Sequence, residues 1–378
     1  MPAQRKAIVI YSPHSGRAAQ LQEALAYLQQ AGMDILHSIP VADLDSLPQQ
    51  GAIWRQQGAD IAVAAGGDGL IGGVITHIIE SGLPLGILPL GTSNDTARSL
   101  HIPEQLQQAA EVIEQGHVRE IDIGMAQPAE QAPLPADDNL LAPLPAHLSP
   151  QQRAYFAHAL TIGVNVEFAR MATNVATRQR FGKLTYPIAA LELLRNHQPL
   201  DVTLRFEGLK LILQPGTTLS AQEIAELSTL QCRALEVAVI NAPIFGGSLQ
   251  ITVPDVSLED RLLDIVVFED IDAASLNNAI AGFFSRRENG NDQLASIWRE
   301  RNPALNPAEL TGIPGIHHVQ ARAVAISTNN DPRDATLDGE IRGQTPLHAR
   351  VAWQRLKVMV PHRATRANRY KDEAARNT

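Results

Sequence analysis

Three short polar stretches in the first hundred residues each follow an apolar run, and their residue types bear on the chemistry open to the chain. The most informative is Gly66-Gly67-Asp68-Gly69-Leu70-Ile71-Gly72-Gly73, entered from the apolar run Ile61 to Ala65. Glycines placed directly after a strand let backbone amides approach phosphate oxygens, and a following helix adds its positive N-terminal end. No Gly-Lys-Ser/Thr follows, so this is not a Walker A loop, nor is it the GxGxxG of dinucleotide folds. Asp68 is therefore the residue that carries information. A carboxylate beside phosphates is repelled unless it holds Mg²⁺, accepts a hydroxyl proton, or orients amides by hydrogen bonding. The plainer alternative is a tight turn in which Asp68 caps a helix. Downstream, Thr92, Ser93, Asn94 and Asp95 stand at a helix start. Either one of them is an ordinary N-cap, or Thr92 donates to a phosphate while Asn94 and Asp95 brace the loops.

Two acidic turns lie in the second half. Leu337-Asp338-Gly339-Glu340 sets two acids around a glycine, which projects both carboxylates or simply makes an Asp-Gly hairpin tip. Leu258 to Asp264 ("LEDRLLD") reads as a solvated acidic turn before a strand. The 12 histidines show no HExxH and no paired metal spacing, which argues against a structural zinc site.

These residues need elements to hold them. Lys6 to Tyr11, "DILHSI", "DIAVAA" and "PLGILPLG" read as strands. Helical spacing marks Leu21, Leu25 and Leu28, a helix closing over Trp54 to Gly58, Ile71 to Ile79, and Leu106 to Ile113. Strands alternating with helices imply a layered parallel sheet, in which ligands sit at the carboxyl ends of strands. The loops "SPHSG", "GGDGL" and "GTSND" each follow a strand, so they are expected on one edge.

From about Val118 the texture changes. "VREIDIGMA", "RAYFAHALTIGVNVEF", "DVTLRFEG", "LEVAVINAPIF", "LLDIVVFEDI", "ARAVAIST", "DATLDGEI" and "LKVMVP" read as strands of an antiparallel sandwich, with one helix at "YPIAALELLRNH". The expected division is an α/β domain over 1–122 and a β-sandwich over 123–360. Residues 126–152, rich in Pro and Ala, read as a mobile surface loop, and 361–378 as a tail that frays or returns to the first domain.

The net charge of -9 gives no basic footprint for nucleic acid, and one cysteine, Cys232, excludes an internal disulfide. The N-terminus reads as strand plus loop rather than a signal peptide, and no apolar run is long enough to cross a bilayer. A cytoplasmic protein is expected.

In this order, "SPHSG", "GGDGL", "PLGILPLGTSNDTARSL", "NAPIFGGS", "LEDRLLDIVV" and "LDGE" resemble the diacylglycerol kinase catalytic family, over roughly residues 5 to 361. "FGKLTYPIAALELL" is similar to a helix segment of that family. The resemblance implies an N-terminal α/β nucleotide domain joined to a β-sandwich, with the active site between them. It implies an ATP- and Mg²⁺-dependent kinase acting on a lipid hydroxyl, with transient membrane contact; a homodimer is compatible with it. ATP contacts map onto Ser12, Ser15 and Gly16, onto Gly66, Gly67, Asp68, Gly69, Leu70, Ile71 and Gly72, and onto Thr92, with Asn94 and Asp95 bracing. Glu340 maps to the proton acceptor, supported by Asp338 and Asp68. Asp260, with Ser257 and Leu262, maps to a Mg²⁺ turn.

The chain departs from the family pattern at four places. Ser12 stands for an asparagine, Leu70 for a threonine, Gly72-Gly73 for Asn-Glu, and Arg261 for a glycine. Two other readings stay open: a non-catalytic nucleotide sensor, favoured by those substitutions, and NAD kinase, which shares the "GGDG" turn but wants the absent Asn-Glu pair.

Overall fold

The computed structural model describes residues 4–44, 47, 49–129, 153–173, 198–210, 227–245, 251–253, 255–271, 315–329 and 331–362. The chain divides into two units. The first comprises Met1–Ile123, Ile244–Ile251 and Gln354–Thr378; the second comprises Gly124–Pro243 and Thr252–Trp353.

The first unit begins with β1 (Lys6–Tyr11), α1 (Leu21–Gln30), β2 (Asp34–Pro40), α2 (Gly51–Gln56) and β3 (Ile61–Gly66). It continues with α3 (Asp68–Ile78), β4 (Leu85–Pro89), α4 (Asp95–Ser99), α5 (Leu106–Gln115) and β5 (His117–Ile121). The strand Leu356–Val360, the last of the chain and so β19, completes a six-stranded sheet of order β2-β1-β3-β4-β19-β5. β1 to β4 are mutually parallel; β19 runs parallel to β4 and antiparallel to β5. Every residue of β3 and β4 is buried, as expected of parallel strands covered on both faces.

β19 corrects the sequence reading, which placed "LKVMVP" in the sandwich and the return of the chain at 361. Its own alternation suits either sheet. What decides is the free edge that β4 and β5 offer, and β19 fills it through Val358↔Leu85 and a five-residue ladder to β5. Of the tail, Pro361 and His362 alone lie among the described residues.

The second unit contains β6 (Gly124–Pro128), β7 (Ala154–Phe156), β8 (Ala159–Gly163), α6 (Val164–Thr173), β9 (Leu200–Glu207) and β10 (Thr229–Ile240). The chain then returns to the first unit over Ile244–Ile251, where β11 (Ile244–Phe245) pairs with β12 (Ile251–Thr252), and the second unit resumes with β13 (Leu263–Glu269), β14 (Ile316–Ala321) and β15 (Ala323–Thr328). β16 (Asp334–Leu337), β17 (Glu340–Gln344) and β18 (Leu347–Val351) finish it. Eleven strands form one sheet along the path β17-β16-β8-β10-β9-β15-β18-β6-β7, with β13 and β14 branching from β10. Its ladders are antiparallel. In β9, Leu200, Val202, Leu204 and Phe206 are buried while Asp201 and Arg205 between them are exposed, the period of two that turns one face to a core. That core also takes Phe156, Val237, Ile265, Val324 and Leu337, each side chain contributing about 1.5–3 kcal/mol relative to exposure.

The expected strand through "TIGVNVEF" stops at Gly163. There φ is +123°, a value closed to side-chain-bearing residues, and the chain turns into α6. β14 is a strand the sequence reading did not name. β6 extends through Pro128, into the expected 126–152 loop, whose residues 130–152 lie outside the described ones. The expected helix at "YPIAALELLRNH", together with "FGKLTYP", also lies outside the described residues.

Candidate active site

In the first unit the ends of β1, β3 and β4 bring the three polar loops together. The Ser12 amide donates to the Ala65 carbonyl at 3.5 Å, which joins the "SPHSG" loop to the end of β3. Gly67 and Gly91 pack backbone to backbone: a Cβ on Gly91 would lie 2.3 Å from the Gly67 Cα, so a side chain there would drive the "GGDG" and "GTSND" loops apart. A Cβ on Gly16 would lie 2.7 Å from the Thr92 Oγ1, which closes the third side. These contacts make a cradle whose walls are mainly backbone.

Asp68 is the first residue of α3, and its carboxylate reaches sideways rather than outward. Oδ1 accepts the Thr96 amide at 2.8 Å and Oδ2 the Asp95 amide at 3.1 Å. It thus satisfies two of the amides that the start of α4 leaves without partners inside the helix. Of the options open for this residue in sequence, the geometry displays the orienting of amides. Asn94 sits at φ 53°, ψ 41°, a left-handed conformation that asparagine tolerates better than most residues. Its side chain closes the loop on itself, accepting the Gly91 amide at 2.9 Å and donating to the Gly91 carbonyl at 3.0 Å. Asn94 and Asp95 are buried, and Thr92 is exposed at the loop surface.

Within α3 the first backbone bond of the run is Ile71 amide to Gly67 carbonyl, at 3.2 Å. The Ile71 amide is therefore already committed inside the helix. Leu70 and Ile71 turn their side chains into the core, Leu70 across the face of Gly66, where a Cβ would meet its Cδ2 at 2.4 Å. Ser15 Oγ is buried and has no hydrogen-bond partner, an orphan that a phosphate oxygen would satisfy. Backbone donors, close-packed glycines and an unpartnered hydroxyl fit a polyphosphate.

Two arginines that the sequence reading passed over hold this cradle. Arg17 donates from its backbone to the Leu90 carbonyl at 2.9 Å and from its side chain to the Pro89 carbonyl. Arg98 reaches the Ser93 carbonyl, pairs with Asp95 at 3.3 Å, and donates from Nε to Glu104 at 2.9 Å. Their signal was present in "SGR" and "DTAR", but an arginine beside a loop is normally solvated.

In the second unit, Asp338 and Glu340 flank the β16–β17 turn and behave differently. Asp338 is buried, at φ 50°, and accepts three backbone amides: Ala157 at 2.8 Å on Oδ2, and His158 at 2.8 Å and Ala159 at 3.0 Å on Oδ1. The same short segment is held from its other side by the buried Asn241 of "NAPIF". Its side-chain amide donates to the Ala157 carbonyl at 2.8 Å and its backbone amide to the His158 carbonyl at 2.8 Å. Glu340 is exposed and forms an ion pair with Arg342.

The "LEDRLLD" turn closes on itself. Asp260 Oδ1 accepts the Leu262 amide at 3.2 Å, and Ser257 Oγ accepts the Glu259 amide at 3.2 Å. Arg261 occupies a left-handed conformation at φ 63°, and its guanidinium donates to the Trp353 carbonyl at 3.0 Å. One exposed carboxylate with neighbouring backbone carbonyls fits a hard, largely hydrated cation. Among the described residues no group of three or more His, Cys, Asp or Glu could hold a metal.

One further carboxylate escaped the sequence reading. Glu236 on β10 is buried and accepts both the backbone amide of Asn165, at 3.0 Å, and its side-chain amide, at 2.8 Å, at the start of α6. Burial pushes its carboxyl up to about 8, against the pull of those bonds. It lies in an apolar strand, so nothing in its sequence neighbourhood announced it.

Comparison with known proteins follows the same division. Residues 6–126 match the family model of the diacylglycerol kinase catalytic domain, and residues 158–291 match the YegS C-terminal NAD kinase beta sandwich-like domain. The chain is 24% identical over 368 residues to a diacylglycerol kinase of Staphylococcus saprophyticus, covering 95% of this chain and 96% of that protein. It is 23% identical over 363 residues to a diacylglycerol kinase of Staphylococcus aureus, covering 95% and 93%. Two solved chains from Bacillus anthracis str. Sterne share the fold. One has a TM-score of 0.60 at 20% identity, covering 96% of this chain and 98% of its own. The other, described as a diacylglycerol kinase, has a TM-score of 0.56 at 18% identity, covering 95% and 98%.

Proposed function

The chain belongs to the diacylglycerol kinase catalytic family, and from that premise we propose that it transfers the γ-phosphate of ATP to the hydroxyl of a diacylglycerol-like lipid. The observation that carries this reading is the three-loop cradle, in which Asp68 ties the start of α3 to that of α4. Phosphoryl transfer asks little covalent work of a protein; positioning and charge neutralisation do most of it. The glycine-rich turn into α3, the Ser15 hydroxyl and Thr92 hold the phosphates, and Asn94 and Asp95 keep the loop in shape.

A lipid hydroxyl is a poor nucleophile until its proton is taken. In this reading Glu340 accepts that proton while the hydroxyl oxygen forms the new bond to phosphorus. The bond from the γ-phosphorus to its bridging oxygen breaks, and ADP leaves with the electron pair. Asp338 positions Glu340 by anchoring the turn. Asp260, with the carbonyls of Ser257 and Leu262, would hold Mg²⁺, which when bound supplies fixed positive charge beside the turn. The acceptor resides in a membrane, so a cytoplasmic enzyme must touch that surface transiently. Among the described residues no helix is long and apolar enough to cross a membrane.

The deciding assay incubates the protein with radiolabelled ATP and a panel of extracted lipids, with NAD included. Label in a lipid hydroxyl, lost in Glu340→Gln, supports the reading. Label in NAD alone, or in no acceptor, would reject it.

A further inference from the structure

In the second unit β9, β15 and β18 lie side by side, with one face to the core and the other turned away from it. Leu204 and Phe206 of β9, and Leu347, Ala349 and Val351 of β18, go to the core, so the residues between them share the opposite face. The registers set that face in two rows. Ala323 of β15 lies between Glu207 and Arg350, and Ala325 lies between Arg205 and His348. Gln127 of β6 stands beside His348 in the second row. Glu207 and Arg350 are thus two strands apart, about 9–10 Å between backbones, with only a methyl group on the floor between them.

The polar groups of this trough are unmet. Arg350 is 5% exposed, and among the described residues it makes no hydrogen bond and no ion pair. Glu207 Oε2, His348 Nδ1 and Gln127 Oε1 are buried and also have no hydrogen-bond partner. A buried charge is costly unless an opposite charge or a ligand meets it. Glu207 is that opposite charge, yet the two do not touch. Burial pushes the Arg350 guanidinium below its ordinary value, with Glu207 opposing and Arg261 adding to the push. Burial likewise raises the Glu207 carboxyl, with Arg350 opposing, and lowers His348 so that its ring stays uncharged. With Arg205, exposed in the second row, two guanidiniums share the trough with one carboxylate, an excess of positive charge.

We propose that this trough binds a phosphate that carries its own hydroxyl, either inorganic phosphate or a phosphate monoester. Arg350 and Arg205 donate to the unprotonated oxygens, for which the planar guanidinium fork is suited. An ionised carboxylate can only accept, so Glu207 takes the hydrogen bond of the P–OH group. Sulfate is fully ionised near neutrality and would set an oxygen lone pair against that carboxylate. Glu207 therefore selects phosphate over sulfate, while Gln127 and His348 extend the polar lining along the second row. All of these residues belong to the second unit, and none has a part in the transfer assigned above. The site does not depend on that assignment.

The test uses the full chain in phosphate-free buffer near neutral pH. Calorimetry and thermal melting follow inorganic phosphate, sulfate and dihexanoyl-phosphatidate below its micelle concentration, for the wild type, Arg350→Met, Glu207→Gln and Ser15→Ala. The wild type is expected to bind phosphate about tenfold or more tightly than sulfate, the size of one charged hydrogen bond replaced by a repulsion. Arg350→Met should lose the phosphate response while melting no lower than the wild type without ligand, since it removes an unpaired buried charge. Glu207→Gln, whose amide donates, should gain sulfate binding, an effect that misfolding would not produce. Ser15→Ala should keep the response, because the cradle of the first unit is not its source. Tighter binding of the short-chain lipid assigns the site to a monoester headgroup, and tighter binding of phosphate assigns it to the free ion. No phosphate response in the wild type, equal binding of sulfate, or a response that survives Arg350→Met would overturn the proposal.

Discussion

Asp68 gives both carboxylate oxygens to amides 27 and 28 residues further on, so its charge is already committed to the start of α4. Removing it takes away a cap as well as a charge. Asp68→Ala is expected to lose phosphoryl transfer and to cost about 0.5–2 kcal/mol of stability, read from urea denaturation. Asp68→Asn keeps one acceptor and should fall between. Unchanged stability in the alanine variant would show that the α4 amides find other partners. Glu340 presents the contrasting case. It is exposed, so Glu340→Gln should leave the denaturation midpoint in place while transfer falls by roughly a hundredfold or more, the size of a lost general base. Turnover at the wild-type rate would remove that role from Glu340.

At the scale of elements, the structure holds its motifs by carboxylates reaching across the chain. Asp338 satisfies three amides of 157–159, and Asn241 takes two carbonyls of the same segment. Each buried amide left without a partner costs about 1–3 kcal/mol, so Asp338→Ala should lose several kcal/mol and lower the melting temperature visibly. A midpoint within a degree of wild type would refute the anchoring role. The start of α6 depends on Glu236, whose folded value near 8 stands above the ordinary carboxylate range. Between those two values the folded state binds the extra proton, so stability is greatest at the acid end and falls as pH rises towards 8. Thermal scans at pH 6 and pH 8.5 should show a larger loss for wild type than for Glu236→Gln, which cannot ionise. Parallel profiles would mean that Glu236 does not titrate in this range.

At the scale of the whole molecule, the chain passes between its units after Ile123, Pro243, Ile251 and Trp353, so neither unit is one continuous segment. β19 separates β4 from β5 in the first sheet, and β5 has no other strand partner there. A fragment of residues 1–123 therefore leaves β5 unpaired and the edge of β4 bare. It is expected to show no cooperative thermal transition by circular dichroism; a sharp one would contradict this dependence. A cation on the Asp260 turn would bind the folded form alone and raise its melting temperature. Millimolar Mg²⁺ should raise the transition of wild type and not of Asp260→Ala. Equal transitions with and without Mg²⁺ would remove that turn from the reading. Much of this was legible in the chain. The alternation of apolar runs with "SPHSG", "GGDGL" and "GTSND" determined a parallel α/β half with its loops on one edge, because strand direction and glycine chemistry act over a few residues. The motif order pointed to the family for the same local reason. The partners of the motif residues were decided by the tertiary structure alone. Asp68 lies 27 and 28 residues from the owners of its two amides, Asp338 lies about 180 from the segment it anchors, and β19 joins a sheet begun at residue 6. Nothing in a carboxylate's neighbours along the chain says which distant amide will approach it, since that follows from how whole sheets pack and which edges they leave open.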